Sequence, residues 1–204
     1  MNEHSTSRPY RQTARAAAAE ATGARILAAF RAALANRWFE DIRLEDVARE
    51  ASVTVQTVIR RFGGKEGLLE AVEAEVGREV RRRRQTRGGD LVETVAVLAE
   101  DYETSGDFVM RMLAQEERYP TIRKMADAGR AGHREWLEAA FAPQLIGLDN
   151  GLRRCRIDAL VAATDVYVWK LYRRDMARPV ADYRRAVEAL AAAALALTPQ
   201  GESQ

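Results

Sequence analysis

Residues 43–62 (RLEDVAREASVTVQTVIRRF) constrain the fold of this chain most, because their pattern predicts two short helices joined by a tight turn. Val47 gives the first helix an inward face, and the turn falls at residues 51–53. Val58 and Phe62 lie four residues apart in the second helix and would share its buried face. This segment is therefore predicted to be a helix-turn-helix.

The second helix begins at Thr54 and leaves polar side chains on its other face. A helix of this length fits the major groove, where hydroxyls and amides meet base edges and guanidinium groups meet phosphate or guanine. We expect Thr54, Gln56 and Thr57 to contact bases, with Arg60 and Arg61 beside them. An ordinary helical hairpin with a solvated face is the commoner meaning of such a fragment seen alone.

The flanks of this segment narrow the interpretation. An apolar helical pattern lies upstream at residues 26–30 (ILAAF), and residues 63–69 (GGKEGLL) follow directly. Over roughly residues 22–76, the chain resembles the DNA-binding domain of the TetR family of bacterial repressors. The matching residues are Val47, Ala48, Ala51, Val53, Thr54, Thr57, Phe62, Lys65, Glu66 and Leu68.

Several positions depart from the family pattern. Ser52 stands where the family usually has Gly, so a positive φ there would cost about 1 kcal/mol of strain. Ile59 replaces a usual Tyr and removes a phosphate-binding hydroxyl, whereas Arg61 replaces a usual His and adds a permanent cation. Ile42 replaces a usual Thr, so the first helix of the pair is expected to lack its N-cap.

The resemblance implies an all-α fold. An N-terminal three-helix DNA-binding domain with the helix-turn-helix would be joined by a long helix to a C-terminal helical ligand-binding and dimerisation domain. Phosphate contacts are expected from Arg60, Arg61 and Lys65, and a weaker one from Arg43.

The same resemblance implies a ligand-responsive transcriptional regulator, in particular a repressor that a small organic effector releases from its double-stranded DNA operator. A homodimer would place two recognition helices about 34–36 Å apart on a near-palindromic operator.

The distribution of charge agrees with DNA binding. The net charge is only +2, but residues 1–87 carry 17 Lys and Arg against 12 Asp and Glu, and the remainder carries 15 against 18. A basic front and an acidic rear suit a chain that presents one end to DNA, although the asymmetry is modest.

Composition argues against other classes of protein. No apolar run approaches the roughly 20 residues that span a bilayer, and the N-terminus lacks the apolar core of a signal peptide. A cytoplasmic protein without membrane contact is expected. The single cysteine, Cys155, excludes an internal disulfide, and with two histidines the chain is not expected to hold a metal or a cofactor.

Three regions are predicted: a flexible N-terminal arm at residues 1–20, the helix-turn-helix domain at 21–86 and a helical rear domain at 87–204. The arm carries spaced arginines, and it is either a frayed terminus or a contact to phosphates or the minor groove. Thr22 is expected to cap the first helix. Arg81–Arg84 are expected to form a solvated helix end.

In the rear domain we expect breaks at Ser105–Gly106 and Pro120, one helix over about 153–176, and a last helix from Pro179 to about Leu197. Ser105–Gly106 would end one helix and Asp107 would cap the next.

An effector pocket is predicted in the rear domain, with apolar walls and a few polar points. The alternative is that the same residues simply form the core. Glu116, Glu117 and Asp165 have no cation at helical spacing, so each needs solvent or a more distant partner, and an apolar effector with a cationic group could supply one. The predicted ligand-binding residues are Tyr102, Phe108, Met112, Glu116, Met125, His133, Trp136, Asp165 and Trp169.

The last two helices carry apolar residues on more than one face, which indicates a central position or a shared interface. A homodimer is predicted, with Trp169, Val187, Leu190 and Ala194 at its interface.

Two other classes of function remain open. An all-helical enzyme would use Glu116, His133 or Asp165, but no nucleophile elbow, phosphate loop or metal-ligand spacing supports it. We therefore predict no enzymatic activity and no catalytic residues. The second alternative is a helical protein-interaction module whose degenerate helix-turn-helix no longer binds DNA.

Overall fold

The computed structural model of the protein describes residues 7–198, together with the side chains of Thr13 and residues 15–198. The chain divides into two compact units, unit 1 at Met1–Ala74 and unit 2 at Glu75–Gln204. The division between these units therefore lies inside a helix, whereas the sequence predicts a domain boundary between residues 86 and 87.

The described residues form helices and no strands, which confirms the all-α prediction. The helices of the front are α1 Ser7–Asn36, α2 Leu44–Glu50, α3 Val55–Phe62 and α4 Lys65–Arg83. Those of the rear are α5 Leu91–Leu113, α6 Pro120–Ala140, α7 Ala142–Leu145, α8 Asn150–Ala163, α9 Val166–Lys170, a π-helical turn Leu171–Asp175 and α10 Val180–Leu195.

The first helix is longer than the sequence analysis predicted. Residues 7–20, assigned to a flexible arm, belong to α1, and the first six residues of that arm lie outside the described residues. Thr22 is inside the helix and donates its hydroxyl hydrogen to the carbonyl of Ala18 at 2.8 Å, so it is not a cap. The run of alanines at 16–19 explains the extension, because Ala has the highest helix propensity.

Unit 1 has its own apolar core. Ile26, Phe30 and Leu34 of α1 are fully buried at helical spacing. Val58 of α3 and Leu68 of α4 are also fully buried, so α3 and the start of α4 share this core.

Unit 2 contains two clusters of buried residues. In the first, Leu98 and Tyr102 of α5 pack with Trp169 of α9 and Tyr183 and Val187 of α10. The second joins α6, α8 and α10, and it includes Leu137, Phe141, Ile157, Leu160 and Ala191.

The break predicted at Ser105–Gly106 is wrong, since α5 runs through it without interruption. Gly106 is instead a contact point for the indole of Trp169, because a Cβ at this position would lie 2.4 Å from Trp169 Cζ3.

The prediction of one continuous helix over about 153–176 is also wrong, because the helix is interrupted at Thr164–Asp165. Asp165 caps α9 by accepting the backbone N–H of Tyr167 at 2.9 Å. Within the described part of the chain, no helix is long and apolar enough to cross a membrane.

Candidate nucleic-acid interface

The helix-turn-helix forms at the predicted residues. Thr54 is the N-cap of α3, and its hydroxyl oxygen accepts the backbone N–H of Thr57 at 3.2 Å. The backbone N–H of Val53 donates to the carbonyl of Ala48 at 2.9 Å and closes the turn. The other end of α3 is capped by Gly63 in the left-handed region, with φ 78°.

The turn contains a strained residue. Ser52 has φ 54°, in the left-handed region that disfavours a residue with a Cβ. The turn therefore requires the conformation for which the sequence predicts about 1 kcal/mol of strain. The predicted lack of a cap on α2 is also observed, since Arg43 occupies the N-cap position without a side-chain hydrogen bond.

The polar face of α3 is uncovered within the described chain. Gln56, Arg60 and Arg61 are exposed, and Thr57 is half-buried. The hydroxyls of Thr54 and Thr57 lie 3.0 Å apart and bond to each other, so Thr54 combines capping with any base contact. Gln56 is the predicted base-contacting residue with the most freedom.

Arg61 extends from α3 across α1. An added Cβ at Gly23 would lie 2.4 Å from Arg61 Nη2, so the guanidinium lies directly over the backbone of Gly23. Two residues further along α1, Arg25 donates from Nε to the carbonyl of Ala51 in the turn, at 3.3 Å. Residues 23–25 of α1 therefore lie beside α3 and the turn that precedes it.

Lys65 is more constrained than the sequence suggested. Its ammonium donates to the backbone carbonyl of Glu40 at 3.2 Å and lies 4.4 Å from the centre of the Phe39 ring. Burial lowers the pKa of Lys65 from its ordinary value. This contact ties the start of α4 to the loop after α1, and it leaves two of the three ammonium hydrogens for another acceptor.

The run at Arg81–Arg84 is not a uniformly solvated helix end. Arg84 is 8% exposed, and its Nε donates to Asp101 Oδ2 at 2.7 Å. Arg83 donates to the other carboxylate oxygen of Asp101, also at 2.7 Å. Only Arg81 and Arg82 are exposed as predicted.

The sequence held a signal for this ion pair. Asp101 occupies the same helical stripe as the apolar residues Leu98 and Tyr102, and a carboxylate on a buried stripe requires a partner.

His133 is fully occupied by contacts within unit 2. Arg84 Nη1 lies 2.9 Å from His133 Nδ1, and His133 Nε2 lies 2.9 Å from Thr164 Oγ1. Because arginine can only donate, Nδ1 is the acceptor and Nε2 carries the hydrogen. The hydroxyl of Thr164 accepts that hydrogen and donates its own to the carbonyl of Leu160.

Two physical causes keep His133 uncharged. Burial, followed by the positive charge of Arg84, lowers the pKa of His133 from 6.5 to about 3. The Arg84 guanidinium also lies 5.1 Å from the ring centres of both Tyr102 and Trp136. We call Arg84, Asp101, His133, Trp136 and Thr164 the Arg84 cluster.

Three of the aromatic residues predicted to line a pocket donate hydrogen bonds to other groups of unit 2. Trp136 donates from Nε1 to the carbonyl of Arg84 at 2.7 Å, and Tyr102 donates to the carbonyl of Thr164 at 3.2 Å. Trp169 is fully buried and donates from Nε1 to Glu103 at 2.7 Å.

The three carboxylates that lack a cation at helical spacing interact with other groups of the chain. Arg130 of α6 donates to both oxygens of Glu116 at 2.7 and 2.8 Å, and Arg123 pairs with Glu117 at 2.6 Å. Asp165 is the cap of α9.

The remaining predicted lining residues differ in burial: Met112 is 3% exposed, whereas Phe108 and Met125 are half-buried. Among the described residues, no group of three His, Cys, Asp or Glu side chains is arranged to hold a metal ion.

Most residues predicted at the dimer interface lie in the core of a single chain. Trp169 and Val187 are fully buried and Ala194 is 5% exposed, so they were wrongly assigned to a surface. Leu190 is 48% exposed and is the one of the four with a substantially exposed side chain.

Comparison with known proteins agrees with this geometry. Residues 26–72 match the family model described as "Bacterial regulatory proteins, tetR family". A comparison with curated proteins found no significant match.

Two similar solved structures come from Rhodococcus. A transcriptional regulator from Rhodococcus sp. Rha1 is 18% identical, with a TM-score of 0.66 over 86% of this chain and 98% of that one. A structure named for the TetR family of transcriptional regulators, from Rhodococcus sp., is 18% identical, with a TM-score of 0.64 over 87% of this chain and 100% of that one. At this identity the two structures show the shared fold.

The fold and the helix-turn-helix define a DNA-binding regulator of transcription. The match over residues 26–72 and the shared fold support the resemblance to the TetR family of transcriptional regulators seen in the sequence.

Proposed function

We propose that this protein is a ligand-responsive repressor that binds a near-palindromic operator as a homodimer in the cytoplasm and leaves it when a small organic effector binds. The observation that carries the DNA-binding part is the uncovered polar face of α3, held in place by the Thr54 cap and the Gly63 cap. A helix presented in this way fits the major groove.

The proposed contacts to DNA divide into two kinds. Gln56, Thr57 and Thr54 contact bases, and Gln56 contributes most because the two threonine hydroxyls also bond to each other. Arg60 and Arg61 bind phosphates. Lys65 and Arg43 add weaker phosphate contacts, Lys65 through the hydrogens that Glu40 does not use.

A gel shift with the upstream region of the protein's own gene tests DNA binding. The wild-type protein should retard this fragment at low salt, and Gln56→Ala should lower affinity and relax the choice of one base pair. Glu50→Ala is a matched control, because Glu50 is an exposed residue of α2 that we do not assign to DNA. No retardation of the fragment by the wild-type protein at low salt would contradict the proposal and favour a protein-interaction module.

The effector site that we propose centres on the first apolar cluster of unit 2, beside Tyr102 and Trp169. The hydroxyl of Tyr183 is fully buried there and has no hydrogen-bond partner in the described structure. An unsatisfied buried hydroxyl costs about 1–3 kcal/mol, so a polar atom of an effector would be favoured at this position. Because Glu116 and Asp165 already have partners, we propose a largely apolar effector without a required cation.

The route from effector to DNA would begin at the Arg84 cluster. Tyr102 and Asp101 are neighbours on α5, and Asp101 binds Arg83 and Arg84 at the end of α4. An effector that displaces Tyr102 would therefore act on the end of a helix that begins in the DNA-binding unit. Release requires that the effector bind the DNA-free conformation more tightly than the bound one.

A thermal-shift screen with neutral and cationic amphiphiles tests the effector site. A bound effector should raise the melting temperature of the wild-type protein and should raise that of Tyr183→Phe less. The variant keeps the ring and removes only the unpaired hydroxyl, so it should fold normally. Equal shifts for both proteins would place the effector elsewhere. The predicted lack of enzymatic activity stays a prediction.

A further inference from the structure

The N-terminal half of α1 extends beyond the core of unit 1. The described side chains at Thr13 and residues 15–21 are all exposed, and the buried positions of α1 begin at Gly23. Over residues 15–21 the described side chains therefore add little stability by packing. Its alanine-rich sequence accounts for its helicity.

The charge of this extension is predominantly positive. Residues 7–22 contain Arg8, Arg11 and Arg15 and one acidic residue, Glu20. Their sequence positions are three and four apart, a spacing that recurs on one face of a helix. Arg15 is exposed. The extension is therefore a basic rod, complementary in charge to a nucleic-acid backbone.

The extension starts next to the helix-turn-helix. Arg61 of α3 lies over Gly23, and Arg25 bonds to the carbonyl of Ala51 in the turn. At about 1.5 Å per residue, Arg15 lies about 12 Å along the helix from Gly23. Phosphates of one DNA strand recur about every 3.4 Å along the axis, so this distance spans three to four of them.

We propose that the N-terminal extension of α1 is a second DNA-binding element, which brings Arg15 to the phosphates beside the base pairs that α3 contacts. It supplies affinity without base selection, because arginine contacts to phosphate carry no sequence information. The inference rests on the proposed operator binding and extends the interface beyond the helix-turn-helix.

The salt dependence of binding tests this inference in the full-length protein. The probe is the fragment upstream of the protein's own gene, once wild-type protein is seen to bind it. Arg15→Ala removes one phosphate contact from each protomer and two from a dimer, which should flatten the slope of log affinity against log salt by about 1.8. Between 50 and 200 mM salt, the variant should therefore lose about 12-fold less affinity than the wild type.

Three comparisons make the result specific. Arg15→Lys keeps the charge and should keep most of the slope. Arg178→Ala removes an exposed arginine from unit 2 and should leave the slope unchanged. Hydroxyl-radical footprints should lose protection beside the sequence contacted by α3 in Arg15→Ala alone. Alanine is the best helix former, so this substitution should leave α1 helical.

The outcomes separate the two proposals. If the wild-type protein binds and Arg15→Ala shows the same slope and footprint, the extension does not contact DNA and the inference is overturned while the repressor proposal stands. An equal change of slope in Arg178→Ala would also overturn it, since the effect would then be one of net charge. Failure of the wild-type protein to bind the fragment at low salt would contradict both the repressor proposal and this inference.

Discussion

At the scale of single residues, the turn of the helix-turn-helix is held in a conformation that its side chain disfavours. Ser52 has φ 54°, where a residue with a Cβ is less stable by about 1–2 kcal/mol. Glycine removes this strain and costs about 0.5–1 kcal/mol of additional chain entropy. Ser52→Gly should therefore raise the free energy of unfolding by up to about 1.5 kcal/mol, as measured by chemical denaturation.

Ser52→Ala is the matched control for this change. Alanine keeps the Cβ and should give no comparable gain, because the strain comes from the Cβ and not from the hydroxyl. A gain of equal size in both variants would show that the serine hydroxyl, rather than the backbone, is what destabilises the turn.

His133 should make the protein sensitive to mild acid. Its pKa is about 3 in the folded chain because of burial and the charge of Arg84, against an ordinary value of 6.5. The unfolded chain therefore binds the proton first as the pH falls below about 6.5, and stability declines from there towards pH 3. The melting temperature should be lower at pH 5 than at pH 7, a range in which carboxylates titrate little.

The chain offers its own control for this pH dependence, because His4 is the only other histidine. His133→Gln should lose most of the difference between pH 5 and pH 7, whereas His4→Gln should retain it. If His133→Gln keeps the full difference, the acid sensitivity does not arise at the Arg84 cluster.

At the scale of helices, the sequence predicted α2, α3 and the start of α4 well, and predicted α5, α8 and α9 poorly. The helix-turn-helix carries local signals: the Thr54 cap, the Gly63 cap and apolar residues four apart. A glycine such as Gly106 is a local signal for a break in a helix. Here the helix continues, and the glycine makes room for the indole of Trp169. That partner lies on another helix, so the pattern around Gly106 could not show it.

Gly106→Ala and Gly129→Ala should have opposite effects for this reason. Both replace glycine within a helix, where alanine is favoured by up to about 1 kcal/mol. A Cβ at Gly106 would meet the Trp169 ring at 2.4 Å, whereas nothing lies within 4 Å of one at Gly129. Overpacking typically costs about 1–3 kcal/mol, so Gly106→Ala should lower the melting temperature while Gly129→Ala raises it. Stabilisation by both would mean that Trp169 moves aside without cost.

At the scale of the whole molecule, the predictability of each unit followed the sequence separation of its contacts. The helix-turn-helix in unit 1 depends on neighbours within a few residues, which periodicity and capping reveal. The Arg84 cluster in unit 2 joins residues 49 positions apart, and Tyr102 bonds to a carbonyl 62 positions away. The sequence therefore identified unusual residues such as His133 and Trp136, but it could not show that their polar atoms satisfy one another.

The same limit explains the errors at the proposed dimer interface. Periodicity finds every apolar face of a helix, but it cannot separate the face that packs inside the chain from the face left outside. On α10, Val187 and Ala194 pack inside, whereas Leu190 remains 48% exposed. Leu190 lies in one stripe with Ala186 and Ala193, at steps of four and three residues.

We expect this outer stripe of α10 to form the homodimer interface, so Leu190→Arg should yield a monomer in sedimentation at micromolar concentration. An unpaired charge buried between two subunits is costly, whereas the exposed position tolerates Arg within one folded chain. A monomer presents one recognition helix instead of two, so its affinity for the operator should also fall sharply. Ile146→Arg is the control, because Ile146 is 79% exposed and lies outside this stripe. A wild-type monomer, or a Leu190→Arg dimer that binds DNA normally, would place the interface elsewhere or exclude it.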